Sequence, residues 1–253
     1  MRSLAEKQPF WFSLAFMVLI MQALGIVVVV IGRNLGLAEM PIRVAAAMVT
    51  TVVPVAIIRG MGWWKDAGFV DTTRNVYALT IPLILVFWPL IYKGTVQMAP
   101  GGAQGALVFL LAVLFTGISE EAVYRGLFMR AFLPHGRWQA VLVPAVLFGS
   151  AHIVQSLGGG MSLPENMVQI LNAFIGGVLY GAVRLRINNL WPLIVFHTLE
   201  DLFWVTSGLS TGAYALSDIP VGLYLLTWIP SLVAAYFIMR KPLTATIDGN
   251  PIN

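Results

Sequence analysis

The sequence predicts an all-α fold, a polytopic membrane bundle of about eight transmembrane helices, on three observations. Hydrophobic residues make up 58% of the chain and charged residues 10%, where a typical soluble domain carries about 25% charged residues. The mean hydropathy is +0.84. Apolar runs recur along all 253 residues, each close to the roughly 20 residues that one bilayer crossing requires. These runs leave room for a single integral-membrane domain, 1–253, and for no soluble domain of appreciable size.

The first element is the run Trp11 to Gly32, too long for a signal-peptide core and followed by no small-residue cleavage site, so it reads as a retained span. Further spans are expected at about 42–58, 77–92, 104–124, 138–155, 167–183, 189–206 and 219–239. Turn residues separate them, including Gly60, Gly62, Pro100, Gly101, Gly102, Pro134, Gly158, Gly159, Gly160 and Pro164. Pro54, Pro82, Pro89, Pro192 and Pro230 are expected to kink or start helices, and Gly177 and Gly181 to allow close helix approach. A fifth span starting late, around Pro144, would suit proline's place in a first helical turn.

Orientation follows from lysines and arginines. With eight spans and a cytoplasmic N-terminus, Arg2, Lys7, Arg59, Lys65, Arg74, Arg125, Arg130, Arg137, Arg184, Arg186, Arg240 and Lys241 fall inside, leaving only Arg33, Arg43 and Lys93 outside. Both termini are then cytoplasmic. The basic pI near 9.6 is explained by this asymmetry, and no nucleic-acid partner is implied. Met61 to Arg74, with Trp63 and Trp64 beside charges, reads as an anchor at the inner interface. The chain has no cysteine, which excludes thiolate ligands, cysteine nucleophiles and prenylation of the chain itself.

Against this background, charges at bilayer depth mark a functional site. Glu120, Glu121 and Arg125 lie in EEAVYR, Phe148 and His152 in FGSAH, and His197, Glu200 and Asp201 in HTLED. At about 1.5 Å per residue, Glu120 lies about 7 to 15 Å from the cytoplasmic end of its helix, His197 about 12 Å in, and His152 about 20 Å from Trp138. Glu121 and Arg125 share a helix face at four residues' spacing, as do His197 and Asp201. Glu120 points about 100° away from Glu121, so the tandem acids are expected to take different tasks. A carboxylate and an imidazole around a water supply a general base, and a second imidazole with a polar neighbour can stabilise an oxyanion. That chemistry fits peptide hydrolysis. No GxSxG or HExxH is present, which argues against serine hydrolases and zincins.

The three motifs in this order, EExxxR at 120–125, FxxxH at 148–152 and HxxxD at 197–201, resemble the CPBP family, the Abi or type II CAAX prenyl endopeptidase group of intramembrane proteases. The resemblance covers a core of about 100–206. It implies an endopeptidase acting on a peptide or protein substrate with a membrane-associated segment. Carried over, Glu120 is the base, His152 its partner in holding water, and His197 a donor to the oxyanion. Glu121 and Arg125 form a structural pair, with Phe148 and Glu200 in support. Asp201 stands where eukaryotic relatives carry asparagine; since an ionised aspartate cannot donate to an oxyanion, it must be protonated, orient His197, or bind a metal. A divalent metal such as zinc fits the donor types of Glu120, His152 and His197, whereas the lack of an HExxH-like pair favours metal-free chemistry. The setting expected is a bacterial cytoplasmic membrane. A proton-coupled carrier and a noncatalytic immunity or scaffold protein are the alternatives.

Overall fold

In the computed structural model, residues 1–70, 102–157, 161–206 and 221–240 are described, together with a two-residue antiparallel pairing of Thr246–Ile247 with Asn250–Pro251. The expected span at 77–92, the turn residues Pro100, Gly101 and Gly158 to Gly160, and Arg74, Pro82, Pro89, Lys93 and Lys241 lie outside the described residues.

A short helix α1 (Arg2–Lys7) precedes α2 (Pro9–Asn34), which starts on a proline and is π-wound over Met17–Ala23. Next come α3 (Glu39–Gly60) and α4 (Gly102–Glu120). The latter continues without a break through a π-wound stretch, Glu121–Phe128, and a last α-turn, Met129–Phe132. The chain then forms α5 (Arg137–Ala151), the single turn α6 (Val154–Leu157), α7 (Leu163–Ile187), α8 (Trp191–Thr206) and α9 (Val221–Met239). Five of the described helical segments are long and apolar enough to cross a membrane: Pro9–Asn34, Glu39–Gly60, Gly105–His135, Arg137–Leu157 and Leu163–Ile187. Apart from the short C-terminal pairing, the regular structure of the described residues is helical, and the protein is a multi-pass membrane protein.

Two packed clusters organise the bundle. One joins α5, α7 and α9 through Val141, Ala145, Val178, Ala182 and Ala235. The other gathers Phe16 of α2, Ile58 of α3, Trp63, and Tyr124, Phe128 and Phe148 around the π-wound stretch. The α5–α7 contact is close because small residues face it. A Cβ on Gly177 would lie 3.1 Å from the Ala145 Cβ, one on Gly181 3.1 Å from Val141, and one on Gly149 2.8 Å from the Ile170 carbonyl. Without a hydrophobic drive between lipid-embedded helices, such backbone approach is the source of dispersion contact.

Three expectations are corrected. Helix α5 begins at Arg137 with Pro144 inside it, so no late start occurs; the preceding residue Gly136, at φ 116°, supplies the turn. Within 61–70, Trp63 and Asp66 face the protein and not a lipid headgroup layer. Trp63 is fully buried beneath the Arg130 guanidinium, 4.6 Å from its ring centroid, and Asp66 accepts from Arg130 Nε at 2.9 Å. Finally, Arg130 and Arg184, counted with the loop cations, are buried inside the protein, as is Arg125 in its pair with Glu121. Arg184 donates to Asn188 Oδ1 and to the Asp66 carbonyl, both at 2.6 Å. A bilayer offers these guanidiniums no water, so protein acceptors replace it.

Candidate active site

The site lies where the two clusters meet, and the helix carrying both glutamates is fixed first. On α3, Thr51 donates its hydroxyl proton to the Phe115 carbonyl at 2.7 Å, and Ser119 donates to the Thr50 carbonyl at 2.8 Å. Gly117 lets α8 come close: a Cβ there would sit 2.7 Å from Thr198 Oγ1 and 3.4 Å from the Ile194 carbonyl. That approach sets the next residue pair, Glu120 and Glu121, against His197.

His197 is bracketed by the tandem acids. Its Nδ1 lies 2.8 Å from Glu121 Oε1, and its Nε2 lies 3.2 Å from Glu120 Oε2 and 3.8 Å from Asp201 Oδ2. A neutral imidazole carries only one N–H. Two ring nitrogens facing two carboxylate oxygens therefore call for a second positive partner, a proton on the ring or on a carboxyl group or a bound cation.

Exposure divides the acids. The Glu121 side chain is fully buried, whereas those of Glu120 and Asp201 are 24% and 33% exposed. Glu121 Oε1 also accepts from Arg125 Nη1 at 2.7 Å. Arg125 in turn lies over the rings of Phe148 and Tyr180, at 4.4 and 5.5 Å. The expected Glu121–Arg125 pair is thus present and does more than the spacing implied, since the same oxygen orients His197.

His152 stands just past the end of α5. Its Nδ1 lies 2.9 Å from the Phe148 carbonyl oxygen. A carbonyl can only accept, so Nδ1 carries a proton, and in the neutral ring Nε2 presents a lone pair. The Phe148 ring separates the imidazoles, with centroids 5.1 Å from His152 and 6.0 Å from His197, both edge to face. Phe148 is therefore a spacer between the two histidines and a surface for Arg125. Glu200 points toward α7, where the Tyr180 hydroxyl donates to its Oε2 at 3.2 Å. Tyr180 was not legible as a site residue; its only signal is a tyrosine in a glycine-rich helix face. His135 lies apart, against the Glu6 carbonyl.

Among the described residues no group of three His, Asp or Glu side chains is arranged to hold a metal ion. The Nδ1 atoms of His197 and His152 are taken up by Glu121 and by the Phe148 carbonyl, while His197 Nε2 lies 3.2 Å from Glu120 Oε2 and 3.8 Å from Asp201 Oδ2, donor types that zinc accepts.

Residues 102–203 match the family model described as Type II CAAX prenyl endopeptidase Rce1-like. The matched stretch contains every side chain placed above at the His197 and His152 positions. No curated protein and no solved structure matches the chain.

Proposed function

We infer that this chain, a member of the CPBP family of CAAX-protease-like intramembrane proteins, is an endopeptidase that hydrolyses a peptide bond in a membrane-associated segment, without a metal. The observation that carries this reading is the division of the tandem acids. Glu121 is sealed against Arg125 and His197, while Glu120 meets the same imidazole from a partly exposed position.

The Glu120 carboxylate takes a proton from water as the oxygen attacks the scissile carbonyl carbon, and the His152 Nε2 lone pair holds the other water hydrogen. The carbonyl oxygen becomes an oxyanion beside His197, whose Nε2 proton can turn from Glu120 to it once Glu120 has become neutral. Glu120 then delivers its proton to the leaving nitrogen as the C–N bond breaks, so water and peptide bond are consumed and an acid and an amine are released. Asp201 acts as an acceptor that keeps a proton on His197 Nε2, a role open to a carboxylate where an asparagine would donate.

The same reading includes eight spans, cytoplasmic termini and residence in a bacterial cytoplasmic membrane. Its substrate is a peptide or protein whose cleavage site lies beside a lipid-anchored or hydrophobic segment. The test is Glu120→Ala in proteoliposomes with quenched-fluorescence peptides carrying a hydrophobic or prenylated tail. Cleavage should fall by about 100-fold or more at unchanged folded yield. Undiminished turnover by the variant would sink the assignment.

A further inference from the structure

The helix that carries His152 is interrupted at that residue: α5 ends at Ala151, and the single turn α6 begins at Val154. The last carbonyls of a helix lack intrahelical partners, and in lipid each must find a donor within the protein.

Following these carbonyls one by one shows how the end is closed. The Phe148 oxygen faces His152 Nδ1. The Gly149 oxygen accepts from the His152 N–H and the Ser150 oxygen from the Ile153 N–H, both at 3.1 Å. The next two reach outside the helix. The Ala151 oxygen accepts from Gln22 Nε2 at 3.4 Å, and the His152 oxygen from Asn166 Nδ2 at 2.9 Å. Two side-chain amides, one on the π-wound stretch of α2 and one in the first turn of α7, therefore hold the backbone at His152 from different sides.

Asn166 is well placed to bear load. It is fully buried. Its own position is set by a capping box, in which Ser162 and Glu165 satisfy each other and the first turn of α7. The close approach of Gly149 to Ile170 fixes the two helices one turn away. An apolar side chain at 166 would leave the His152 oxygen sharing only the Gln155 N–H at 3.0 Å.

We propose that Asn166, backed by Gln22, is a positioning residue that sets the reach of the His152 imidazole by holding the carbonyls of Ala151 and His152. The inference rests on the role given to His152 above. Neither amide touches the reacting atoms. Loss of the Asn166 donor lets the cap shift, and because Nδ1 is tethered to Phe148, the ring swings about that tether and displaces Nε2. A displacement of about 1 Å at a reacting group costs up to about 100-fold in rate.

The chain has only three histidines, His135, His152 and His197, so ring-labelled histidine NMR in micelles, assigned by His→Gln variants, reports each one separately. In Asn166→Leu the His152 ring signals should move while those of His135 and His197 stay. kcat should fall about 10- to 100-fold with KM unchanged, and Asn166→Ser, a shorter donor, should recover part of the loss. Gln22→Leu should shift the same His152 signals by less. If Asn166→Leu does not fold, Asn166→Ser and Gln22→Leu carry the test. Unmoved His152 signals, or an activity loss that merely tracks folded yield, would overturn the proposal. If the wild-type protein cleaves no peptide, the hydrolase reading fails while the NMR shifts still decide whether Asn166 positions His152.

Discussion

Glu121→Gln separates a structural acid from a reacting one. The Glu121 side chain is fully buried and Arg125 is 3% exposed, with 2.7 Å between the charged atoms. Removing one partner of such a pair costs about 3 to 5 kcal/mol, because the remaining charge stays buried. The cost should fall at the low end, about 3 kcal/mol, since the glutamine oxygen still accepts one hydrogen bond and Arg125 keeps its place over Phe148 and Tyr180. That corresponds to about a 100-fold change in the folding equilibrium. Glu120→Gln removes no partner of a buried guanidinium, so its stability should stay within about 1 kcal/mol of wild type while turnover drops about 100- to 10,000-fold. Denaturant unfolding in micelles, followed by tryptophan fluorescence, gives the first quantity, and activity per folded molecule gives the second. Equal stability losses in the two variants would refute the division of labour. So would a fully stable Glu121→Gln.

Two further outcomes follow from the same geometry. Peptide cleavage should persist after dialysis against EDTA or phenanthroline, and added zinc should not raise it, because the chain carries no HExxH-like ligand pair; loss on chelation with recovery on zinc would refute the metal-free mechanism. The absence of cysteine makes topology readable without background. Ser3→Cys should react with an impermeant maleimide only after the membrane is opened, and Leu35→Cys, 70% exposed between α2 and α3, should react in intact cells; the reverse pattern would invert the proposed orientation.

Much of the site was legible because charge at depth is rare. Glu120, Glu121, Arg125, His197 and Asp201 announce themselves as ionisable groups in apolar helices, and their spacing of four residues predicts shared faces. Their partners across helices were not legible. Nothing in the spacing says that His197 lies between two adjacent acids, since that depends on how closely Gly117 lets α8 approach. The burial of Trp63 and Asp66 was misread for a related reason. Tryptophans beside charges are the mark of an interface, and it is the distant Arg130 and Arg184 that turn this stretch inward. Asn166 and Gln22 left a faint signal that could have been used, because an amide in an apolar run needs a partner.

The tandem arrangement itself has a geometric reason. Acids at four residues' spacing share a helix face and compete for one edge of a ring. Adjacent acids diverge by about 100° and can reach the two nitrogens of an imidazole presented by a facing helix. Here the division falls where the winding changes, with Glu120 ending α4 and Glu121 opening the π-wound stretch. A wider turn carries Glu121 and Arg125 together into the protein, where Gly177 leaves room beside the guanidinium, and leaves Glu120 partly exposed. Winding breaks of this kind recur at functional sites. In this protein the break gives one histidine a buried carboxylate that fixes it and a reachable one with which it can exchange a proton.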